Sequence, residues 1–385
     1  MSALQDFSSL HQRIGARIGL LQNSGLYRKL QTPRGADLCS NDYLQLANDP
    51  RLKARMAEAV LAEGCGSTGS RLLRGERACF SAIEQRFAQW KGTEAALYFS
   101  TGYAANLAVL STFLEDGDVV FFDRLNHASL IDGMKLGKAK KIIFPHADVN
   151  ALQQYMDSVP AERQKFLVTE SVFSMDGDLA PLQEYARMCR ETGTALILDE
   201  AHAVGVYGTR GAGLAEEAGI EKDVFLSINS AGKALGVSGA FVAGPAWAID
   251  YLIQGGRTFL FSTAPPPAVA GAIDAALDVI DQEPERRVRL HQLSGLLRAK
   301  IADAGIVMER TGSQILPVFI GENDRAVKIA TTLQAEGFDV RAIRPPTVPE
   351  GTARLRLSVN VGLSEAILDR FVEQLVDALK NESAK

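Results

Sequence analysis

Asp199 closes the apolar run Leu196–Leu198 in LILDEAHAVGVYG, with His202 three positions behind it, and Lys233 sits among small residues in SINSAGKALGVSG. An acid, an imidazole and an amine placed after apolar runs can serve a helicase-type DEAH box, a metal centre, or a clamp for an organic cofactor. The first needs an upstream phosphate loop, GxxxxGK[ST]. The nearest approach is at Lys233 itself. There Ser227 takes the place of the first glycine, Ala234 follows the lysine, and the lysine comes after the acid rather than before it. The ATPase reading fails. A metal site needs a third ligand, and His11, His127 and His146 show no ligand spacing; nothing supports a metal. GCGSTG (64–69) matches the dinucleotide fingerprint by letter, but a helical pattern precedes it where that fingerprint requires a strand.

The cofactor reading gains from the residues behind the other apolar runs. YFSTGYAANLAVL puts Thr101, Gly102 and Tyr103 at a helix start, where free backbone N–H groups suit a phosphate. FDRLNHASL places His127 after one run, VTESVFSMDGDLAPL places Ser174 after another, and Asp199 with His202 and then Lys233 follow two more. A phosphate cradle, a flat ring, an acid and an amine form the inventory that pyridoxal 5′-phosphate requires. Each feature alone has a plainer explanation, since a strand-end aspartate is often a helix cap. The five together have none as good.

These residues need elements to hold them. Apolar runs at 95–99, 119–123, 141–145, 165–170, 195–199, 224–229 and 239–244 alternate with helical patterns at 103–113, 128–136 and 181–191. Alternating βα units with wholly apolar strands predict an α/β fold with a mostly parallel sheet covered by helices, ligands binding at the carboxyl ends of its strands. Asp49 and Pro50 predict a helix cap and first turn for 49–63. Past Gln282 the pattern changes to a long helix at 285–304, strands near 315–320, 338–343 and 353–359, and helices at 323–336 and 364–380. That order predicts a smaller α+β C-terminal domain at 281–385, behind an N-terminal segment at 1–40 and a large cofactor-binding domain at 41–280.

Composition narrows the class. The 385 residues are 46% hydrophobic and 23% charged with a net charge of −5, a globular balance that argues against a nucleic-acid partner. Cys39, Cys65, Cys79 and Cys189 are scattered, the first residues carry no leader pattern, and no apolar run has transmembrane length. The expectation is a cytoplasmic protein without membrane contact.

Taken together, CSNDYLQLAND, TGYAAN, RLNHASLIDG, TESVFSMDGDLAPL, LDEAHAVGVYGTRGAG, SAGKALGVSGAFV and RAIRPPTVPEGTARLRLSV resemble the α-oxoamine synthases, pyridoxal-phosphate enzymes of transferase fold type I. The resemblance spans nearly the whole chain. It implies that Lys233 carries the cofactor and moves a proton, Asp199 pairs with the ring nitrogen, His202 bonds the ring oxygen and His127 stacks on the ring. It also implies that Gly102 and Tyr103 hold the phosphate through backbone N–H groups, with Ser174 and Ser230 as further cofactor contacts; many relatives carry threonine where Ser230 stands. Arg28, His127, Thr347 and Arg356 match substrate-contact positions. Alternation puts Arg356 on one strand face with Arg354, which is expected to be a surface or salt-bridged arginine. Ser70 stands where some glycine-using relatives have threonine, a difference that leaves room for alanine. The implied reaction is a decarboxylative condensation of L-alanine with a pimeloyl thioester, carried on CoA or acyl carrier protein. The residues of IRPPTVPEGTARLRL (343–357) favour those substrates over those of 2-amino-3-ketobutyrate CoA ligase or 5-aminolevulinate synthase. A fold type I aminotransferase is the other alternative. The family resemblance further implies a homodimer in which Ser262 and Thr263 of FSTAPPP reach the partner's phosphate site, although both hydroxyls could equally cap the next helix.

Overall fold

The computed structural model of the protein describes residues 7–160, 163–308 and 312–382. Seven strands build the main sheet: β1 (Ala95–Phe99), β2 (Val119–Asp123), β3 (Lys140–Phe144), β4 (Lys165–Glu170), β5 (Thr194–Asp199), β6 (Val224–Ser230) and β7 (Ala240–Gly244). Their spatial order is β1-β7-β6-β5-β4-β2-β3. Every pairing is parallel except those of β7, which runs antiparallel to both β1 and β6. The mostly parallel sheet is as the alternating pattern predicts.

Successive residues of a strand point to opposite faces, and here both faces are buried except at the edge strand β3. Leu97, Val120, Val168, Ile197 and Val242 meet one helical layer, formed by α1 (Gly102–Phe113) and α2 (Ala128–Leu136) through Ala105, Val109, Leu130 and Met134. Tyr98, Phe121, Leu167, Leu196 and Phe241 belong to the opposite core with Phe80, Phe87 and Tyr185. Near-continuous apolar strands follow from the two-sided covering, and polar groups gather at the strand ends, apart from Ser227 and Asn229 inside β6, which bond each other at 3.0 Å.

The C-terminal part has its own antiparallel sheet. Strands β8 (Ile315–Gly321), β9 (Ala342–Ile343) and β10 (Ala353–Ser358) lie in the order β9-β10-β8, with the helix at Asn323–Ala335 packed against them and the helix at Glu365–Asn381 packed on that helix. The single strand expected over 338–343 is two short pieces. Phe338 and Asp339 pair with Ala36 and Asp37, whereas Ala342 and Ile343 pair with β10. The chain changes partner within four residues, which a hydropathy pattern does not register. Gly177, at φ +71°, lets the loop after β4 run against the backbone of Ile315 in β8; a Cβ there would collide with the Ile315 carbonyl. That contact holds the Ser174 loop to the small sheet. No helix among the described residues is long and apolar enough to cross a membrane.

Candidate active site

Five strand ends converge at one edge of the main sheet. After β1, Thr101 caps α1, its Oγ accepting from the Ala104 N–H at 3.0 Å. The N–H groups of Gly102 and Tyr103 find no acceptor among the described residues, and a helix N-terminus with free donors attracts a phosphate. A Cβ built at Gly102 meets only Ala240, at 3.9 Å, so the approach to those donors is open. The Tyr103 side chain points elsewhere: it is 44% exposed and its hydroxyl donates to Asp132.

Asp199 ends β5 as a buried carboxylate with both oxygens held. Oδ1 accepts from the Ala201 N–H at 2.9 Å and Oδ2 from Asn106 Nδ2 at 2.8 Å. The other hydrogen of that amide goes to Ser129 Oγ at 2.8 Å, and the Ser129 hydroxyl lies 2.7 Å from His127 Nδ1. His127 Nδ1 also accepts from the Ser129 N–H at 3.2 Å, capping α2, so the imidazole is fixed at the start of that helix. Burial lowers its pKa, and the cation of Lys233 adds to the effect against the charge of Asp199.

A second chain of hydrogen bonds approaches from Lys233. Its Nζ lies 2.8 Å from His202 Nε2, and His202 Nδ1 lies 2.6 Å from the Tyr43 hydroxyl, which in turn donates to Asn41 Oδ1 at 3.0 Å. Burial and three neighbouring cationic or imidazole groups keep His202 neutral, well below the ordinary histidine range. One ring nitrogen then donates to Tyr43 while the other accepts from Lys233. Gln314 at the start of the small sheet holds the His202 carbonyl at 2.8 Å. The Lys233 amine is pushed down to about 8, chiefly by burial, with Asp199 and Glu170 opposing.

Arg356 on β10 reaches the same place from the other sheet. Its Nε donates to the Ser174 carbonyl and its Nη1 to Asn41 Oδ1 at 3.1 Å and Ser358 Oγ at 2.8 Å, while its Nη2 is buried with no partner among the described residues. A buried guanidinium with one unsatisfied donor edge is a ready carboxylate site. Arg354 is salt-bridged as expected, but it is buried rather than at the surface. It is 3% exposed, paired with Asp176 at 2.6 Å and stacked over Phe319 at 4.3 Å, because β10 is buried on both faces. Ser230 caps the lysine turn by accepting from the Gly232 N–H at 3.2 Å.

Arg28 and Thr347 meet at a different point. Arg28 Nη2 donates to the Pro345 carbonyl at 2.8 Å, and the Thr347 N–H donates to the Arg344 carbonyl at 3.1 Å, so both attach to the loop between β9 and β10. A cavity of about 410 Å³ there is lined by Arg28, Arg341 and Arg344 among others. Thr263 is exposed, on a loop stitched to GCGSTG by the Ala264 N–H to the Gly69 carbonyl at 2.9 Å. No described contact joins Arg28, Thr347 or Thr263 to Lys233. Asn41, Tyr43, Asn106, Ser129 and Glu170 are the residues that sequence reasoning missed. Their signal was polar type inside the motifs: Asn106 falls four positions after Gly102, one helical turn along the face that looks back at the strand end.

The arrangement fits pyridoxal 5′-phosphate. It offers free helical N–H donors, a buried ionisable pair of Asp199 and Lys233, and an imidazole fixed beside them. The family model for aminotransferases of class I and II matches residues 33–375. A serine palmitoyltransferase from S. paucimobilis, solved with a PLP–myriocin aldimine, superposes with a TM-score of 0.91 at 28% identity, covering 99% of this chain and 100% of that one. The chain belongs to the class I and II aminotransferase family and is a pyridoxal-phosphate-dependent enzyme of fold type I. Its branch is that of the 8-amino-7-oxononanoate synthases. The synthase of Anaeromyxobacter dehalogenans is 44% identical over 95% of both chains, and that of Geobacter sulfurreducens is 42% identical over 93% of this chain and 96% of its own. A crystal structure of the Francisella tularensis 8-amino-7-oxononanoate synthase gives a TM-score of 0.79 at 28% identity, over 91% of this chain and 99% of that one.

Proposed function

We propose that this enzyme condenses L-alanine with a pimeloyl thioester and releases the thiol and carbon dioxide, leaving 8-amino-7-oxononanoate for biotin synthesis. The observation that carries the reading is the meeting of Lys233, Asp199 and Arg356 in one buried site. An amine that can lose its proton, a fixed anion and a guanidinium with a free edge lie together in a chain of this branch.

Alanine must lose its Cα proton and form a bond from Cα to the thioester carbonyl carbon. The carbon–sulfur bond breaks, the thiol leaves with a proton, the carboxylate departs as carbon dioxide, and Cα takes a proton again. The cofactor, when bound, supplies an electron sink for the pair left on Cα. Lys233, Asp199, His202, Ser174, Ser230 and the N–H groups of Gly102 and Tyr103 would hold it, with His127 as a further contact. Lys233 moves the Cα proton, and its burial, which brings the amine to about 8, supplies the neutral form that a base requires. Arg356 fixes the alanine carboxylate through its open Nη2, a charge-assisted hydrogen bond that sets the orientation of the Cα–H bond. Arg28 and Thr347, on the loop between β9 and β10, hold the pimeloyl chain, and Ser70 leaves room for the alanine methyl group.

The enzyme works as a homodimer in the cytoplasm. Leu72, Leu73 and Phe261 are 53%, 84% and 74% exposed, an apolar surface beside the Thr263 loop that a second copy would cover. The main test is incubation of the loaded enzyme with alanine and either pimeloyl-CoA or pimeloyl-acyl carrier protein, with mass detection of the nine-carbon amino ketone. Product from glycine and another acyl-CoA, but not from these substrates, would move the protein to a sister synthase. Amino transfer to a 2-oxo acid without thioester consumption would make it an aminotransferase.

A further inference from the structure

Glu170 ends β4 in register with Asp199 at the end of β5, so two carboxyl side chains finish neighbouring parallel strands beneath the same site. Glu170 is 2% exposed. Its Oε2 accepts from the Ser174 N–H at 3.2 Å, and the backbone N–H of His127 faces the same carboxyl. Its Oε1 is buried without a hydrogen-bond partner among the described residues. Asp199 differs in having both oxygens bonded. Two like charges on adjacent strand ends, away from water, do not both persist. The anion belongs on the acid whose two oxygens both receive donors, which is Asp199, and the proton on the acid with a bare oxygen.

We propose that Glu170 is a positioning residue that works as a neutral acid. Its carboxyl holds the Ser174 backbone, which borders the cofactor site, and keeps its proton so that Asp199 is the single anion there. The titratable groups facing it are Asp199 from β5 and Lys233 from the turn after β6; His127 and Ser174 present backbone N–H groups. Burial and the charge of Asp199 push Glu170 from 4.5 up to about 8, with Lys233 pulling the other way. An ionised Glu170 would favour the protonated form of Lys233, so the neutral acid leaves that amine freer to lose its proton. The role in the reaction rests on the function proposed above, whereas the protonation state can be read without it.

The deciding experiment compares thermal melts of the cofactor-free parent and Glu170→Gln across pH 5 to 9. An acid whose folded-state pKa lies above its unfolded value stabilises the fold below the unfolded value and loses that contribution as pH climbs to the folded one. The Tm of Glu170→Gln minus that of the parent should therefore rise steadily from pH 5 to pH 8. A flat difference, or a parent that gains on the variant as pH rises, would overturn the proposal by making Glu170 an anion paired with Lys233. In the loaded enzyme, Glu170→Ala should lower kcat by about tenfold or more, as a small misplacement of reacting groups does, and Glu170→Gln should rescue most of the loss. A glutamine variant as damaged as the alanine one would also overturn it. If the melts behave as expected but the loaded parent makes no amino ketone, the proposed function has failed and the assignment of Glu170 has not.

Discussion

Asn106 Nδ2 donates to Asp199 Oδ2 at 2.8 Å, tying the helix that begins at Gly102 to the carboxylate at the end of β5. The same amide bonds Ser129 Oγ, the neighbour of His127, so one side chain fixes the phosphate helix, the acid and the imidazole relative to each other. Replacing it with leucine removes two donors while keeping the bulk. Asn106→Leu should weaken cofactor binding about tenfold or more, in line with about 1.5–3 kcal/mol for a hydrogen bond to a charged group. Equilibrium dialysis of the cofactor measures this; an unchanged Kd would assign Asn106 to packing alone.

With Lys233 proposed as both tether and base, Lys233→Ala should cost ~10²–10⁴-fold or more in turnover, the range for a positioned acid–base group. The variant should also fail to retain cofactor covalently after borohydride reduction, while its melting temperature stays near that of the parent. Asp199→Asn should be almost as damaging, because a neutral amide cannot serve as the anion that the proposed function sets between Asn106 and the cofactor.

Arg356→Lys exchanges a planar fork for a point charge and leaves the Ser174 carbonyl, Asn41 and Ser358 with at most part of their bonding. The KM for alanine should rise by about 10–100-fold, the value of one charge-assisted bond of ~1.5–3 kcal/mol, with cofactor affinity little changed. Steady-state kinetics with alanine as the varied substrate separates the two. No change in KM would shift the carboxylate site to Arg344 or Arg354.

His146 lies between two acids, with Nδ1 3.0 Å from Asp123 and Nε2 2.6 Å from Asp178, and it braces Phe173 on the Ser174 loop edge-on at 4.4 Å. Burial opposes the charge, but the two carboxylates prevail and raise its pKa from 6.5 to about 9. The protonated latch therefore stabilises the fold fully below pH 6.5 and loses that contribution between pH 6.5 and about 9. The size is on the order of 2 kcal/mol. The Tm gap between the parent and His146→Gln should be widest at pH 6 and narrow by pH 9.5; a gap that does not change with pH would mean the latch is uncharged.

Mixed dimers test whether sites are shared. Lys233→Ala subunits and Thr263→Ala subunits, each of low activity alone, should recover activity when combined if Thr263 serves the partner's site. Verified mixed dimers without recovery would make each site self-contained.

The sequence by itself determined the strands of the main sheet, the order of polar residues at their ends and hence the cofactor. Strands covered on both faces must be apolar throughout, so a polar residue at their ends has few other reasons to be there. Asp199, His202 and Lys233 were legible for that reason. Asn106 and Ser129 were not, because an asparagine inside a helix and a serine in its first turn look the same whether they face solvent or a buried carboxylate. The burial of Arg354 was not legible because alternation along β10 gives the face of a residue and not what covers that face; the Asp176 loop and Phe319 cover it. Glu170 looked like the polar end of one more strand. Only the register of β4 with β5 sets it beside Asp199, and only burial away from water turns that proximity into a competition for one proton. Such long-range pairings depend on which strands become neighbours, and that is decided by packing over the whole chain rather than by any local pattern.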